Sequence, residues 1–192
     1  MITVNEVGSA VFGAFRLACR DPGGMAFFDR SREGALKSFY AAGILLPFYI
    51  FFVVTRWWDD FETLSAARVF LIEALTYVIA WTIFPVLMIG ITKWIDRTDR
   101  FFDFVVAYNW ASVVAMAVRF PAVVIQRFEL LPDPVVDVMI LVLVIVLVVY
   151  GWYVIKTSLD VGGGLAAGLT AAEFILGLVL SDVTTAIIEG NG

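Results

Sequence analysis

Five polar side chains lie inside segments of this sequence that are otherwise apolar and long enough to cross a membrane: Glu73, Asn109, Arg119, Glu173 and Asp182. Carboxylates, a guanidinium and an amide can relay protons, coordinate ions or pair with one another. Hydrocarbon penalises each of them unless it finds a partner or faces water. We therefore treat these residues as the candidate intramembrane polar network, serving either transport or helix packing.

The composition identifies the surroundings that make such residues unusual. Of the 192 residues, 61% are hydrophobic and only 16% are charged, and the mean hydropathy is +0.93, outside the range of soluble domains. The formal net charge of -5 provides no basic face for neutralising phosphates. We predict that the partners include membrane lipids and exclude nucleic acid.

Residue types missing from the chain exclude much enzyme chemistry. There is no histidine, so Ser-His-Asp and Cys-His arrangements cannot form, and Cys19 is the single cysteine. Neither a GxSxG elbow nor a phosphate-binding glycine loop ending in Gly-Lys-Ser/Thr is present. We therefore predict no catalytic residues, no cofactor, no metal site and no enzymatic activity.

Five apolar runs define the expected architecture, because about 20 residues at ~1.5 Å per residue cross a ~30 Å hydrocarbon core. They occupy residues 36–55, 66–92, 101–125, 135–155 and 164–188. The predicted fold class is all-α, a polytopic membrane helical bundle with five transmembrane helices and a short N-terminal amphipathic helix. Residues 1–35 are the expected N-terminal cytoplasmic or interfacial segment, and residues 36–192 the transmembrane domain.

Individual segments carry further expectations. The apolar residues of the first 20 positions recur at helical spacing, which suits a helix lying in the membrane interface or, equally, one packed on its own protein. The third span combines Asp103, Asn109 and Arg119, so we expect the other helices to pack around it. The fourth span is aliphatic around its whole circumference and should be the most lipid-exposed.

The distribution of lysine and arginine predicts the orientation. One side of the membrane carries nine: Arg16, Arg20, Arg30, Arg32, Lys37, Lys93, Arg97, Arg100 and Lys156; the other carries Arg56, Arg68, Arg119 and Arg127. Since positive residues accumulate on the cytoplasmic face, the N-terminus is expected to be cytoplasmic. The C-terminus is then periplasmic, in a bacterial inner membrane.

This orientation converts sequence position into depth. Glu73, Arg119 and Asp182 each fall roughly 9–11 Å beneath the outer surface, which predicts an interhelical ion-pair network or, alternatively, separate snorkelling side chains. Asn109 and Glu173 fall together at roughly 12–14 Å from the inner surface. Glu173 is the best single candidate for function; the alternative is a protonated carboxyl bonded to Asn109 or Ser112 as interhelical glue.

Gly164 and Gly168 form a GxxxG match in the fifth span. Small residues four apart allow helix backbones to approach closely, so these two are candidate helix-packing residues, within this chain or against another.

The layout resembles bacterial members of the Yip1-domain family. The features that carry the resemblance are the Asp21-Pro22-Gly23-Gly24 break after an amphipathic segment, and five closely spaced helices of which the third contains Ala107-Tyr108-Asn109-Trp110. The resemblance implies an integral membrane protein concerned with membrane organisation or partner binding, with no catalytic residues to transfer.

Two functions follow as hypotheses. The first is a non-catalytic scaffold or accessory subunit whose helices associate with themselves, as a homo-oligomer, or with a larger membrane complex. The second is a small proton- or ion-conducting transporter or channel subunit in which the intramembrane carboxylates line the path.

Overall fold

The protein is helical throughout the part that the computed structural model describes, residues 2–190. Residues 1, 191 and 192, which the predicted domain bounds include, lie outside the described residues. Five helices are long and apolar enough to cross a membrane. The predicted all-α fold with five spanning helices is confirmed, and the chain has the architecture of a multi-pass membrane protein.

Seven α-helices follow one another along the described chain. They are α1 (Val4–Ala18), α2 (Arg32–Ser38), α3 (Tyr40–Trp57), α4 (Ala66–Trp94), α5 (Phe101–Arg127), α6 (Asp133–Leu159) and α7 (Gly163–Glu189). Short connections make the long helices α3–α7 run in alternating directions. We call the end of the bundle that carries α1, α2 and Gly163 the N-side, and the end that carries Glu189 the C-side.

Helix α6 begins earlier than its predicted span because of where its prolines fall. The predicted span begins at residue 135, whereas the helix starts at Asp133 and Pro134 occupies its first turn. A proline is tolerated there because its missing N–H would have no partner in the helix anyway.

The N-terminal segment packs on the bundle. Ala10, Ala14 and Leu17 of α1 are buried against α5 and α6, and the Tyr150 hydroxyl of α6 donates to the Ala14 carbonyl at 2.9 Å. Phe12 and Phe15 remain exposed on the opposite side. Of the two alternatives for this helix, packing on its own protein is therefore observed.

Helix α5 occupies the centre, as its polar residues led us to expect. It packs against α1, α2, α3 and α6, and less extensively against α4. In its most apolar stretch 39% of residues are buried, against 17–22% for the other four spans. Helix α6 was expected to be the most exposed, but it buries the same 17% as α4 and α7, because its N-side half, including Tyr150 and Leu159, packs into the core.

Two separate groups of buried residues result. The large N-side core joins α1, α5 and α6 around Phe104, Trp110, Ile155 and Leu17. The small C-side core contains four residues, Val53, Trp57, Val69 and Ile188.

Candidate functional site

Glu73 is buried beside the C-side core and bonds to neutral aromatic donors. The Tyr49 hydroxyl donates to Oε2 at 2.6 Å, and the Trp57 indole N–H donates to Oε1 at 2.9 Å. Both donors come from α3, while Glu73 lies on α4, and its residue exposure is only 5%. Each carboxyl oxygen therefore has a donor, and the arrangement links two helices.

Arg119 and Asp182 do not join Glu73, so the predicted three-residue ion-pair network is wrong. Both residues are exposed on the outside of the bundle. The Arg119 guanidinium lies 5.5 Å from the centre of the Phe52 ring, and within residues 2–190 neither Arg119 nor Asp182 makes an ion pair. The physical reason is that depth along a helix does not determine the direction in which a side chain points.

Asn109 is fully buried, and its hydrogen-bond partner is Ser38 rather than Glu173. Its Nδ2 donates to the Ser38 hydroxyl at 2.8 Å, and Ser38 donates in turn to the Ala35 carbonyl at 2.7 Å. Asn109 thereby connects α5 to the end of α2. Its Oδ1 has no hydrogen-bond partner among the described residues.

Glu173 meets the residue next to Asn109 rather than Asn109 itself. The Tyr108 hydroxyl donates to Glu173 Oε1 at 3.0 Å, so the expected bond to Asn109 or Ser112 is not formed. Consecutive residues on a helix point about 100° apart, and Tyr108 is the one directed towards α7. Glu173 Oε2 has no hydrogen-bond partner in the described chain and lies near Gly151 of α6.

Gly164 and Gly168 lie on an open face of α7. A Cβ atom added at either position would meet no other atom within 4 Å, and both residues are exposed. Ile175 and Asp182 follow at seven-residue spacing, so they share this face, and both are exposed as well. We call Gly164, Gly168, Ile175 and Asp182 the α7 outer face. The opposite side of the helix, including Ala166 and Thr184, packs inward.

The donors that matter most at these carboxylates were absent from the sequence prediction. These donors are Tyr49, Trp57 and Tyr108, aromatic residues with one polar atom each, whereas the predicted partners were charged, amide or hydroxyl side chains. A buried tyrosine or tryptophan usually finds a hydrogen-bond partner. An apolar span that contains a tyrosine or tryptophan therefore signals a hydrogen-bond donor, and this signal could have predicted the contacts.

These features define a helical membrane protein whose polar residues are divided between internal hydrogen bonds and exposed positions. Within residues 2–190, no three His, Cys, Asp or Glu side chains are grouped so as to hold a metal ion. Comparisons with protein families, curated proteins and solved structures find no match to the chain. The resemblance to the Yip1-domain family remains an expectation from sequence layout.

Proposed function

We propose that this chain is a non-catalytic integral membrane protein that acts through helix–helix association with a second copy of itself, using the α7 outer face. In this proposal it resides in a bacterial inner membrane with its N-terminus in the cytoplasm, as the lysine and arginine distribution favours. The scaffold-like role implied by the Yip1-domain resemblance agrees with it.

The observation that carries the proposal is the position of Asp182 on the exposed α7 outer face, which also carries two glycines. Asp182 lies two helical turns before Glu189, or about 10 Å from the C-side end of α7 at ~1.5 Å per residue. A carboxylate at that depth that faces outward needs a partner or must reach the surface. The same face carries Gly168 and Gly164, which lie about 21 and 27 Å from Asp182 towards the N-side at ~1.5 Å per residue and permit another helix to approach closely.

Arg119 supplies the complementary charge. It lies on the outside of α5, about 12 Å from the C-side end of that helix at ~1.5 Å per residue. Helices α5 and α7 touch within one chain through Tyr108 and Glu173, but Arg119 and Asp182 make no ion pair within residues 2–190. The two charges therefore meet most simply across an interface between copies. A second copy that places its α5 beside this α7 pairs Arg119 with Asp182, in a head-to-tail arrangement that closes into a ring.

Oligomeric state in lipid nanodiscs tests the proposal. We expect wild-type protein to form a defined oligomer, and Gly168→Leu to weaken association by blocking close approach. Gly90→Leu is the matched control, because Gly90 in α4 is also open. A monomer at all concentrations, or equal effects of the two leucine variants, overturns the proposal.

Charge exchange tests the pairing. Arg119→Asp and Asp182→Arg should each weaken association about 5- to 30-fold, corresponding to about 1–2 kcal/mol for an intramembrane polar contact. The double variant should restore it. Failure of the double variant to recover any association would show that Arg119 and Asp182 do not meet.

A second candidate function is proton or ion conduction, favoured by Glu173. Its position near the middle of α7, with Oε2 free of hydrogen bonds in the described chain, is typical of a group that exchanges protons with a bound water or a neighbour. Reconstituted vesicles with a pH-sensitive dye test this function. A proton flux that Glu173→Gln abolishes without changing the oligomer supports it, and absence of flux in the wild type refutes it.

A further inference from the structure

A polar cavity of about 480 Å³ opens on the N-side, away from the α7 outer face. Three separate parts of the chain contribute a cation to its lining: Arg30 from the loop before α2, Arg100 from the turn before α5, and Lys156 from the last turn of α6. Asp103 and Asp160 also line it. The cavity therefore carries three positive and two negative side chains.

The two arginines retain donors for a further anion. Arg30 Nη1 and Arg100 Nη1 both donate to the same oxygen of Asp103, Oδ2, at 3.2 and 3.4 Å. Arg100 Nε also lies 3.5 Å from Asp99 Oδ2. Because a guanidinium has five N–H donors, each arginine still uses only part of its capacity in these contacts. Both arginine side chains remain partly exposed, at 47% and 39%.

Among the three cations of the cavity, Lys156 is the one that no carboxylate of residues 2–190 pairs with. Its ammonium lies 5.1 Å from the centre of the Trp152 ring, and it makes no ion pair within residues 2–190. The Tyr153 hydroxyl on the cavity wall donates to the Arg20 carbonyl at 2.8 Å. Arg97 Nε donates a hydrogen bond to the Asp160 backbone carbonyl at 3.2 Å, so Arg97 adds positive charge next to the cavity.

We propose that this cavity binds a phosphate group, held by Lys156 together with the free donors of Arg30 and Arg100. Two planar guanidinium groups and an ammonium that converge on one space suit the oxygens of a phosphate. The excess of one positive charge matches a phosphodiester. The cavity lies at the N-side ends of α5 and α6, where apolar helix meets polar turn and where lipid headgroups lie. The phosphate belongs either to an anionic phospholipid or to a free phosphate compound.

Binding measurements on the full chain in detergent test this proposal independently of self-association. The probes are short-chain phosphatidylglycerol, inorganic phosphate and, as the zwitterionic control, short-chain phosphatidylcholine. We expect phosphatidylglycerol to bind more tightly than phosphatidylcholine, with affinity that falls as salt is raised. Inorganic phosphate that binds as tightly assigns the site to free phosphate compounds, while phosphatidylglycerol binding without it assigns the site to lipid.

Charge-removing variants locate the site. Lys156→Gln should lower phosphatidylglycerol affinity about 5-fold, in line with the contribution of one cation near a membrane surface, and Arg30→Gln should lower it further. Lys93→Gln is the matched control, since Lys93 is an exposed lysine at the same end of the bundle but outside the cavity. Equal affinity for the two lipids, or equal loss in Lys93→Gln and Lys156→Gln, overturns the proposal.

Discussion

The N-side and the C-side of the bundle are held together in different ways. On the N-side, α1, α2, α5 and α6 form one continuous apolar core, with Phe104 fully buried at its centre. On the C-side, the apolar cluster formed by residues 2–190 contains four buried residues, and the polar contacts of Glu73 provide a link between α3 and α4.

This difference suggests a division of roles. Where apolar packing is extensive, polar side chains such as Asn109 are enclosed and cannot meet a partner molecule. Where packing is sparse, hydrogen bonds maintain the helix arrangement and charged residues such as Asp182 remain on the outside. We infer that stability resides mainly in the N-side core, while the α7 outer face is available for association.

The largest expected effect is on the N-side. Phe104→Ala removes a ring that contacts Phe84 and Tyr108, with centroids 5.8 and 5.4 Å away. We expect the free energy of unfolding to fall by about 3 kcal/mol, the low end for buried phenylalanine, because lipid rather than water surrounds the unfolded helices. Titration with sodium dodecyl sulfate in mixed micelles measures it.

The control for this prediction is Phe102→Ala. Phe102 lies on the same helix but is 37% exposed, so its loss should cost much less. If both alanine variants unfold at the same detergent fraction, the N-side core does not dominate stability.

The next effect tests the C-side link. Glu73→Ala leaves the Tyr49 hydroxyl and the Trp57 N–H without their acceptor, and an unpaired buried donor costs about 1–3 kcal/mol. We expect a loss of about 2 kcal/mol in the same titration, and a smaller loss for Glu73→Gln, which retains one acceptor oxygen. Glu62→Gln, at an exposed position of the α3–α4 connection, should be neutral. A neutral Glu73→Ala would mean that apolar contacts alone hold the C-side.

The sequence was informative about the features that composition and periodicity control. Length and hydropathy located five spanning helices, and the polar residues of 101–125 identified the central helix α5. Asp103 and Asn109 are buried there, as expected of polar groups that need protein partners, whereas Arg119 lies on the outside. The position of Glu173 near the middle of its span also follows from counting residues.

The sequence did not reveal which side chains meet. Rotation of each helix about its axis decides whether Tyr108 or Asn109 faces Glu173, and this rotation depends on the combined packing of all neighbours. The salt bridge from Arg30 to Asp103 joins residues 73 positions apart, and nothing in the local pattern of either residue indicates the other. Partners of this kind arise from the tertiary arrangement alone.

A smaller effect concerns how α1 attaches to the N-side core. Gly13 of α1 lies against the turn at Gly24, and a Cβ at Gly13 would lie 2.7 Å from the Gly24 carbonyl oxygen. Gly13→Ala should destabilise this contact by about 1 kcal/mol, since overpacking costs about 1–3 kcal/mol and the gain in helix propensity offsets part of it. The rate of proteolysis within α1 measures the change.

The control is Gly8→Ala in the same helix, where the added Cβ meets open space; this variant should slow proteolysis of α1 slightly. If both variants are cleaved at the same rate, close backbone packing does not hold α1.

The smallest effect is a pH dependence of the same attachment. The Thr3 N–H and the Lys37 ammonium lower the pKa of Glu6 from 4.5 to about 2, so the folded state favours the charged carboxylate. The contribution to stability is complete above pH 4.5 and is lost as the pH falls towards 2. The contribution is modest, because Glu6 is at the surface and Lys37 keeps its second partner, Glu33, at 2.9 Å.

A spin label at Val4→Cys, in a Cys19→Ser background, measures this pH dependence and should become more mobile as the pH falls from 4.5 towards 2. Glu6→Gln should abolish this transition while Asp21→Asn leaves it, and a transition that survives Glu6→Gln would assign the pH dependence to another group.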